Sequence, residues 1–228
     1  MTSSLLLSVQ SERQPGTATF TIDHAVIAGW TGRDPVAREK HIAELEELGV
    51  KRPATTPVYY RVAASRLTTA GRIEVSGRES SGEVEFMLLA AAGVTYVGVG
   101  SDHTDRRVET YDVTVSKQMC EKPVAPELWL LDDVKDHWDR LILRSWATIG
   151  GGRVLYQEGP VDTMLPPEAI VGGHAGRGPL PDGTAMFGGT LAARGGIRAA
   201  DRFDFEIEDP VLGRHIRHGY DVVVLPLA

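Results

Sequence analysis

The chain has 228 residues, a formal net charge of −7 and 42% hydrophobic residues, which suits a single domain (1–228) able to bury a sizeable core. It has no lysine/arginine block and no apolar run near the ~20 residues of a membrane span, which argues against nucleic acid and membrane as main partners. One cysteine, Cys120, leaves no intrachain disulfide and no cysteine-based metal site, and the apolar run 5–9 is too short for a secretion signal, so a cytoplasmic protein is expected.

Residues 5–10 (LLLSVQ) and 17–22 (TATFTI) predict two strands around a turn at Gln14-Pro15-Gly16, opening an N-terminal strand unit over 1–30. The apolar stretch AVIAGW then leads to Asp34-Pro35, an acid at a helix N-cap followed by proline at the first helical position. That helix is expected to reach about Leu48, with Gly49 as its stop. At helical spacing Ala37, His41, Glu44, Leu45 and Leu48 share one stripe. An unpaired carboxylate on a core-facing stripe is unfavourable. The pattern therefore fits either a cleft wall, where Glu44 orients His41 to activate a water, or a rim where both reach solvent.

Extended pieces follow at 57–64, 72–76, 83–91 and 95–101, and 105–119 is expected to continue this β-rich middle after a helical turn. Residues 124–129 read as irregular. The segment 130–146 reads as an amphipathic helix, with Val134, Trp138, Leu141, Ile142 and Ser145 on one stripe and Asp132 or Asp133 as its cap. The remainder is strand-like, interrupted by a Pro166-Pro167 turn and a short helix through Ile170.

In Glu83-Val84-Glu85 the glutamates stand at i and i+2 of a strand, so they share one face while Val84 and Phe86 share the other. Asp102 follows in Gly-Ser-Asp-His-Thr-Asp-Arg. These acids fit an edge strand with solvated glutamates. They equally fit the oxygen ligands of a hard divalent cation, since close carboxylates repel unless a cation lies between them.

The motifs, taken in order, resemble the fumarylacetoacetate hydrolase family from about Gly29 to Val224. They are His41-Ile-Ala-Glu44, the proline-rich segment 53–58, Glu83-Val84-Glu85, Asp102-His-Thr-Asp-Arg106 and Lys117 before a proline-rich turn. Gln157-Glu-Gly159 leading to Thr163-Met164-Leu165, then Gly189-Thr190, and a final strand pair over 205–222 complete the series. The resemblance implies a β-dominated α+β protein, a fumarylacetoacetase-like fold of highly twisted, layered sheets with few helices. It implies Mg2+ or Mn2+ on Glu83, Glu85 and Asp102, a small 2-oxo or β-diketo acid substrate, and a homodimer. The implied reaction is C–C cleavage through a metal-stabilised enolate, with water activated by His41 and Glu44 and positive charge from Lys117. Arg106, Gly189 and Thr190 are implied in substrate binding, with a structural ion pair as the alternative for Arg106. A decarboxylase or hydratase on the same scaffold is the alternative reaction, and a non-catalytic metabolite-binding protein the alternative class.

Arg107 and Glu109 depart from the aspartate and glutamine usual in that family, and Pro181-Asp182-Gly183 replaces its Pro-Gly-Asp turn. The long segment 130–146 is expected to be a lid or a subunit contact. His103 is expected to face away from the acids, His215 and His218 alone are too few for zinc, and Cys120 reads as an apolar filler.

Overall fold

The computed structural model describes residues 2–47, 52–176 and 178–226. Two sheets dominate it. The strands of both, in chain order, are β1 (Ser3–Val9), β2 (Gly16–Ile22), β3 (His24–Gly29), β4 (Val58–Val62), β5 (Arg72–Ser76), β6 (Val84–Ala91) and β7 (Val94–Ser101). They continue with β8 (Glu127–Leu130), β9 (Ile142–Ile149), β10 (Gly152–Pro160), β11 (Thr184–Phe187), β12 (Arg202–Asp209) and β13 (Arg214–Leu225). The eight-stranded sheet runs β2-β1-β8-β7-β6-β11-β3-β4 and the five-stranded sheet β10-β9-β12-β13-β5. This is a β-dominated α+β fold of layered sheets, as expected.

The apolar residues form two layers. Leu7, Ile22, Ile27, Met87, Leu89, Leu128 and Phe187 line one face of the large sheet. Its other face contributes Val84, Phe86 and Leu88 to a cluster shared with Leu143, Phe203, Phe205, Ile207 and Tyr220 of the small sheet. Strand β6 feeds both layers, which is why its run is apolar at every position after Glu85.

Helix α1 spans Pro35–Glu47, with the Asp34 carboxylate accepting the Val36 N–H at 2.8 Å. Its expected stripe is only partly matched: Ala37 is exposed, and the buried residue is Ile42, which the stripe omits. The side chains of His41, Glu44 and Leu45 lie outside the described residues, as do Leu48 and Gly49.

Three other expectations are corrected. Residues 105–119 hold helices α2 (Arg106–Glu109) and α3 (Val113–Met119), each started by an aspartate that accepts a backbone N–H, Asp105 from Val108 and Asp112 from Val115. Residues 124–129 contain the start of β8. The segment 130–146 is not one helix: a short α4 (Leu131–Val134) passes through a tight 3-10 stretch, Lys135–Arg140, into β9. Leu143, Ser145 and Ala147 also satisfy a period of two, and β9 is paired on both sides, so the ladder overrides the helical pattern. Residues of this segment line a cavity of about 1050 Å³ together with Leu88, whose strand parity is opposite to that of Glu85.

Helix α5 (Pro167–Ala175) begins after Pro166, as the sequence suggests. No helix among the described residues is long and apolar enough to cross a membrane.

Candidate metal centre

The site grows out of one hairpin. Ala92 (φ 52°) and Gly93 (φ 73°) form its two-residue turn, the left-handed pair that matches strand twist. The turn is anchored from outside, because the Asp182 carboxylate accepts the Gly93 N–H at 3.0 Å. That is the part played by the altered Pro181-Asp182-Gly183 turn. The turn sets the register: Ala91 faces Val94, and the ladder continues to Val84 opposite Ser101. One step further, at the open end, Glu83 meets Asp102, whose N–H donates to the Glu83 carbonyl at 3.0 Å.

Oxygen atoms of Glu83, Glu85 and Asp102 all lie within 4.8 Å of one another. Glu85 and Asp102 are buried, while the Glu83 side chain keeps 18% of its exposure and marks the open side. Glu85 accepts the Gly189 N–H at 2.8 Å. Gly189 has φ 104°, and a Cβ there would fall 1.9 Å from Thr31 Oγ1, so glycine is required where the backbone approaches the acid. Thr31 itself is tied to Leu165, and Arg33 N–H donates to the Thr163 carbonyl, so the chain leading into α1 is fastened beside Gly189.

Three cations surround the acids. Lys117, from the last turn of α3, donates to Asp102 Oδ2 in a very short contact. Lys122 Nζ lies 2.9 Å from Asp102 Oδ1 and also donates to the His103 carbonyl. Arg106 donates to Ser81 Oγ at 2.7 Å and to Glu109 at 2.9 Å, and its Nη2 lies 3.1 Å from Glu83 Oε1 without hydrogen-bond alignment. Glu109 thus neutralises Arg106, which accounts for one departure. Arg107, the other, is exposed and faces Glu79 at 3.6 Å, away from the acids.

Burial first, then the like charges of Asp102 and Glu83, push Glu85 well above the usual carboxylate range against the pull of Lys117 and the Gly189 N–H. Burial also opposes charge on Asp102, but Lys117 and Lys122 together hold its pKa below the usual range. For Lys117 burial acts against the ammonium, and Asp102, Glu83 and Glu85 overcome it and raise its pKa. Lys122, fully buried, is lowered by burial, with Asp102 offsetting part of the effect. When all are ionised, Glu83, Glu85, Asp102 and Glu109 exceed Lys117, Lys122 and Arg106 by one negative charge. An oxygen-only donor set, two of its members buried, with a residual negative charge, fits a hard divalent cation.

The other predicted residues are distributed as follows. Thr190 Oγ1 donates to the Val84 carbonyl at 2.7 Å and accepts from Gln157 at 2.8 Å, so its hydroxyl is engaged within the protein. Gln157 also accepts from Val84 N–H and Ser145, which makes it a buried link between the sheets. His103 is 1% exposed, with its ring nitrogens 2.8 Å from Tyr220 Oη and 2.9 Å from Ser80 Oγ, so it faces away from the acids. Lys122 escaped the sequence reading. A lysine next to Pro123 suggests a turn, and nothing local marks it as buried.

A second cluster, Glu206, Glu208 and His215, lies in β12 and β13. Arg144 bonds both glutamates and Arg217 bonds Glu206 at 2.7 Å, so its negative charge is already met by the protein.

Fold and site define a β-dominated α+β protein that gathers three carboxylates at the open end of a central hairpin. The chain belongs to the family described as "Protein of unknown function (DUF2848)", whose profile matches residues 28–220. No curated protein matches the sequence. Among solved structures, Cg1458 with inhibitor is similar at a TM-score of 0.65 and 18% identity, covering 98% of this chain and 90% of that one. A 2-keto-3-deoxyarabinonate dehydratase is similar at a TM-score of 0.65 and 16% identity, covering 90% and 75%. The 2-keto-3-deoxy-D-arabinonate dehydratase complexed with magnesium and 2,5-dioxopentanoate gives 0.63 and 16%, covering 90% and 74%. At these identities the likeness shows a shared fold.

Proposed function

We propose that this protein is a divalent-cation-dependent enzyme acting on a small 2-oxo or β-diketo acid, with Glu83, Glu85 and Asp102 holding Mg2+ or Mn2+. The observation that carries this reading is the convergence of three carboxylate oxygens within 4.8 Å, two of the acids being buried. The ordered motifs that resemble the fumarylacetoacetate hydrolase family support it, as does the fold shared with a dehydratase solved with magnesium and 2,5-dioxopentanoate.

A divalent cation held there supplies Lewis acidity toward the carboxylate and keto oxygens of a 2-oxo acid. The chain's own residues do the rest. Lys117 presents an ammonium beside the acids, able to meet the substrate's negative charge. Gly189 N–H holds Glu85, and Arg106 holds Glu83 on the open side. His41, oriented by Glu44 on α1, takes the proton from a water in the C–C hydrolysis reading. In a second reading the reaction is loss or gain of water on the same scaffold. The dehydratase fold favours it, and His41 then matters less. The protein is proposed to act as a cytoplasmic homodimer.

The test is calorimetric titration of metal-free protein with magnesium, then with oxalate, a planar mimic of a 2-oxo acid. Oxalate binding that requires magnesium and vanishes in Glu83→Ala supports the reading and justifies assays on acylpyruvates and 2-keto-3-deoxy acids. Oxalate binding that ignores magnesium overturns it. Cation-dependent binding with no turnover of either substrate class supports the non-catalytic alternative.

A further inference from the structure

Behind Asp102 lies a buried polar chain that the site chemistry does not use. Ser101 Oγ is 2.8 Å from Tyr220 Oη, the same Oη is 2.8 Å from His103 Nδ1, and His103 Nε2 is 2.9 Å from Ser80 Oγ. Ser80, Ser101, His103 and Tyr220 are each at most 3% exposed. One phenol oxygen thus grips the residues on both sides of Asp102.

Alternation explains the arrangement. Ser101 and His103 point one way along the extended chain, and Asp102 points the other way, toward Glu83 and Glu85. His103 also offers its carbonyl to Lys122, whose ammonium lies on Asp102 Oδ1. The phenol reaches the second arm of the hairpin as well: a Cβ on Gly82, next to Glu83, would fall 2.7 Å from Tyr220 Oη. Tyr220 itself belongs to β13 of the other sheet and is wedged beside Phe203 and Phe205.

We infer that Tyr220 and His103 are positioning residues that fix Asp102 as a cation ligand by tying the open end of the hairpin to the five-stranded sheet. The inference rests on the cation reading proposed above. The His103 ring meets a hydroxyl at each nitrogen, Tyr220 Oη at Nδ1 and Ser80 Oγ at Nε2, so one imidazole links the phenol to the strand that holds Ser80.

The test is Tyr220→Phe, which keeps the ring and removes the two hydrogen bonds. Magnesium affinity is read by calorimetry and the fold by circular dichroism and Tm. Partners behind metal ligands typically contribute about 10–100-fold to affinity, so the variant is expected to fold and to bind magnesium at least tenfold more weakly. A lowered Tm with wild-type magnesium affinity overturns the inference, since a merely structural tyrosine would give that result. If Tyr220→Phe does not fold, Ser101→Ala removes one of the two bonds and carries the same test, with a several-fold weakening expected and unchanged affinity refuting. Wild-type protein that binds no magnesium overturns the functional reading and this inference together. Binding by wild type and equal binding by the variant overturn only the inference.

Discussion

Glu85→Gln keeps the shape of the side chain and its bond from Gly189 N–H while removing the charge. In metal-free protein the buried Glu85 oxygens lie within 4.8 Å of those of Asp102 and Glu83. At an effective dielectric near 20, two unit charges at that separation repel by about 3.5 kcal/mol. Lys117 cancels part of two such repulsions, and protonation of Glu85 relieves part of what is left. The glutamine is therefore expected to stabilise metal-free protein by ~1 kcal/mol near pH 8, or about 2–4 °C for a chain of this size. Magnesium acts with the opposite sign: at a hundred times its Kd it stabilises the wild type by about 2.7 kcal/mol, or roughly 5–10 °C. The assay is a pair of melting curves, one in EDTA and one in saturating magnesium. Glu85→Gln should melt above wild type in EDTA and below it in magnesium. A variant that melts lower in EDTA and keeps the full magnesium shift would refute the reasoning.

Four further outcomes follow from the same geometry. Glu85 has a raised folded-state pKa, so its stabilising contribution is present below the unfolded value of about 4.3 and is lost as pH rises through the folded one. Over that window the metal-free protein should weaken with rising pH while magnesium affinity rises, because the cation displaces a proton; calorimetry from pH 5 to 8 that finds flat affinity contradicts this. Gly189→Ala, strained at φ 104° and pressed on Thr31, should lower Tm by several degrees and weaken magnesium binding, and an unchanged melting curve would speak against the packing described. Lys117→Met should keep magnesium binding and lose at least tenfold in oxalate affinity, so equal oxalate affinity in calorimetry removes Lys117 from the substrate's path. His41→Ala and Glu44→Gln should each lower turnover by roughly 10²–10⁴-fold if water attack on a carbonyl is the reaction, whereas full turnover in both points to the dehydration reading.

The strands of the acid hairpin were legible because their pattern is local. Period two puts Glu83 and Glu85 on one face, and the Ala92-Gly93 turn fixes which residue meets Asp102. The helices α2 and α3 were harder to read: their caps, Asp105 and Asp112, sit inside a stretch of mixed charge that resembles a solvated strand. In 130–146 two periodicities coexist, and only pairing with β10 and β12 decides between them. Lys122 and Tyr220 carry no local mark, since their burial depends on sheets assembled from distant parts of the chain. Arg106 illustrates a further gap, because its partner Glu109 reads from sequence only as a departure from the family pattern, while in the structure it is the counter-charge of Arg106.

The central claim is that Glu83, Glu85 and Asp102 hold a divalent cation that presents itself to a 2-oxo acid. The most direct test is a crystal of the protein soaked with manganese and oxalate, with data collected for anomalous scattering. The account predicts one strong peak among the three carboxylates, about 2.2 Å from their oxygens, with oxalate completing its shell. A peak at Glu206, Glu208 and His215, or none at Asp102, would contradict it.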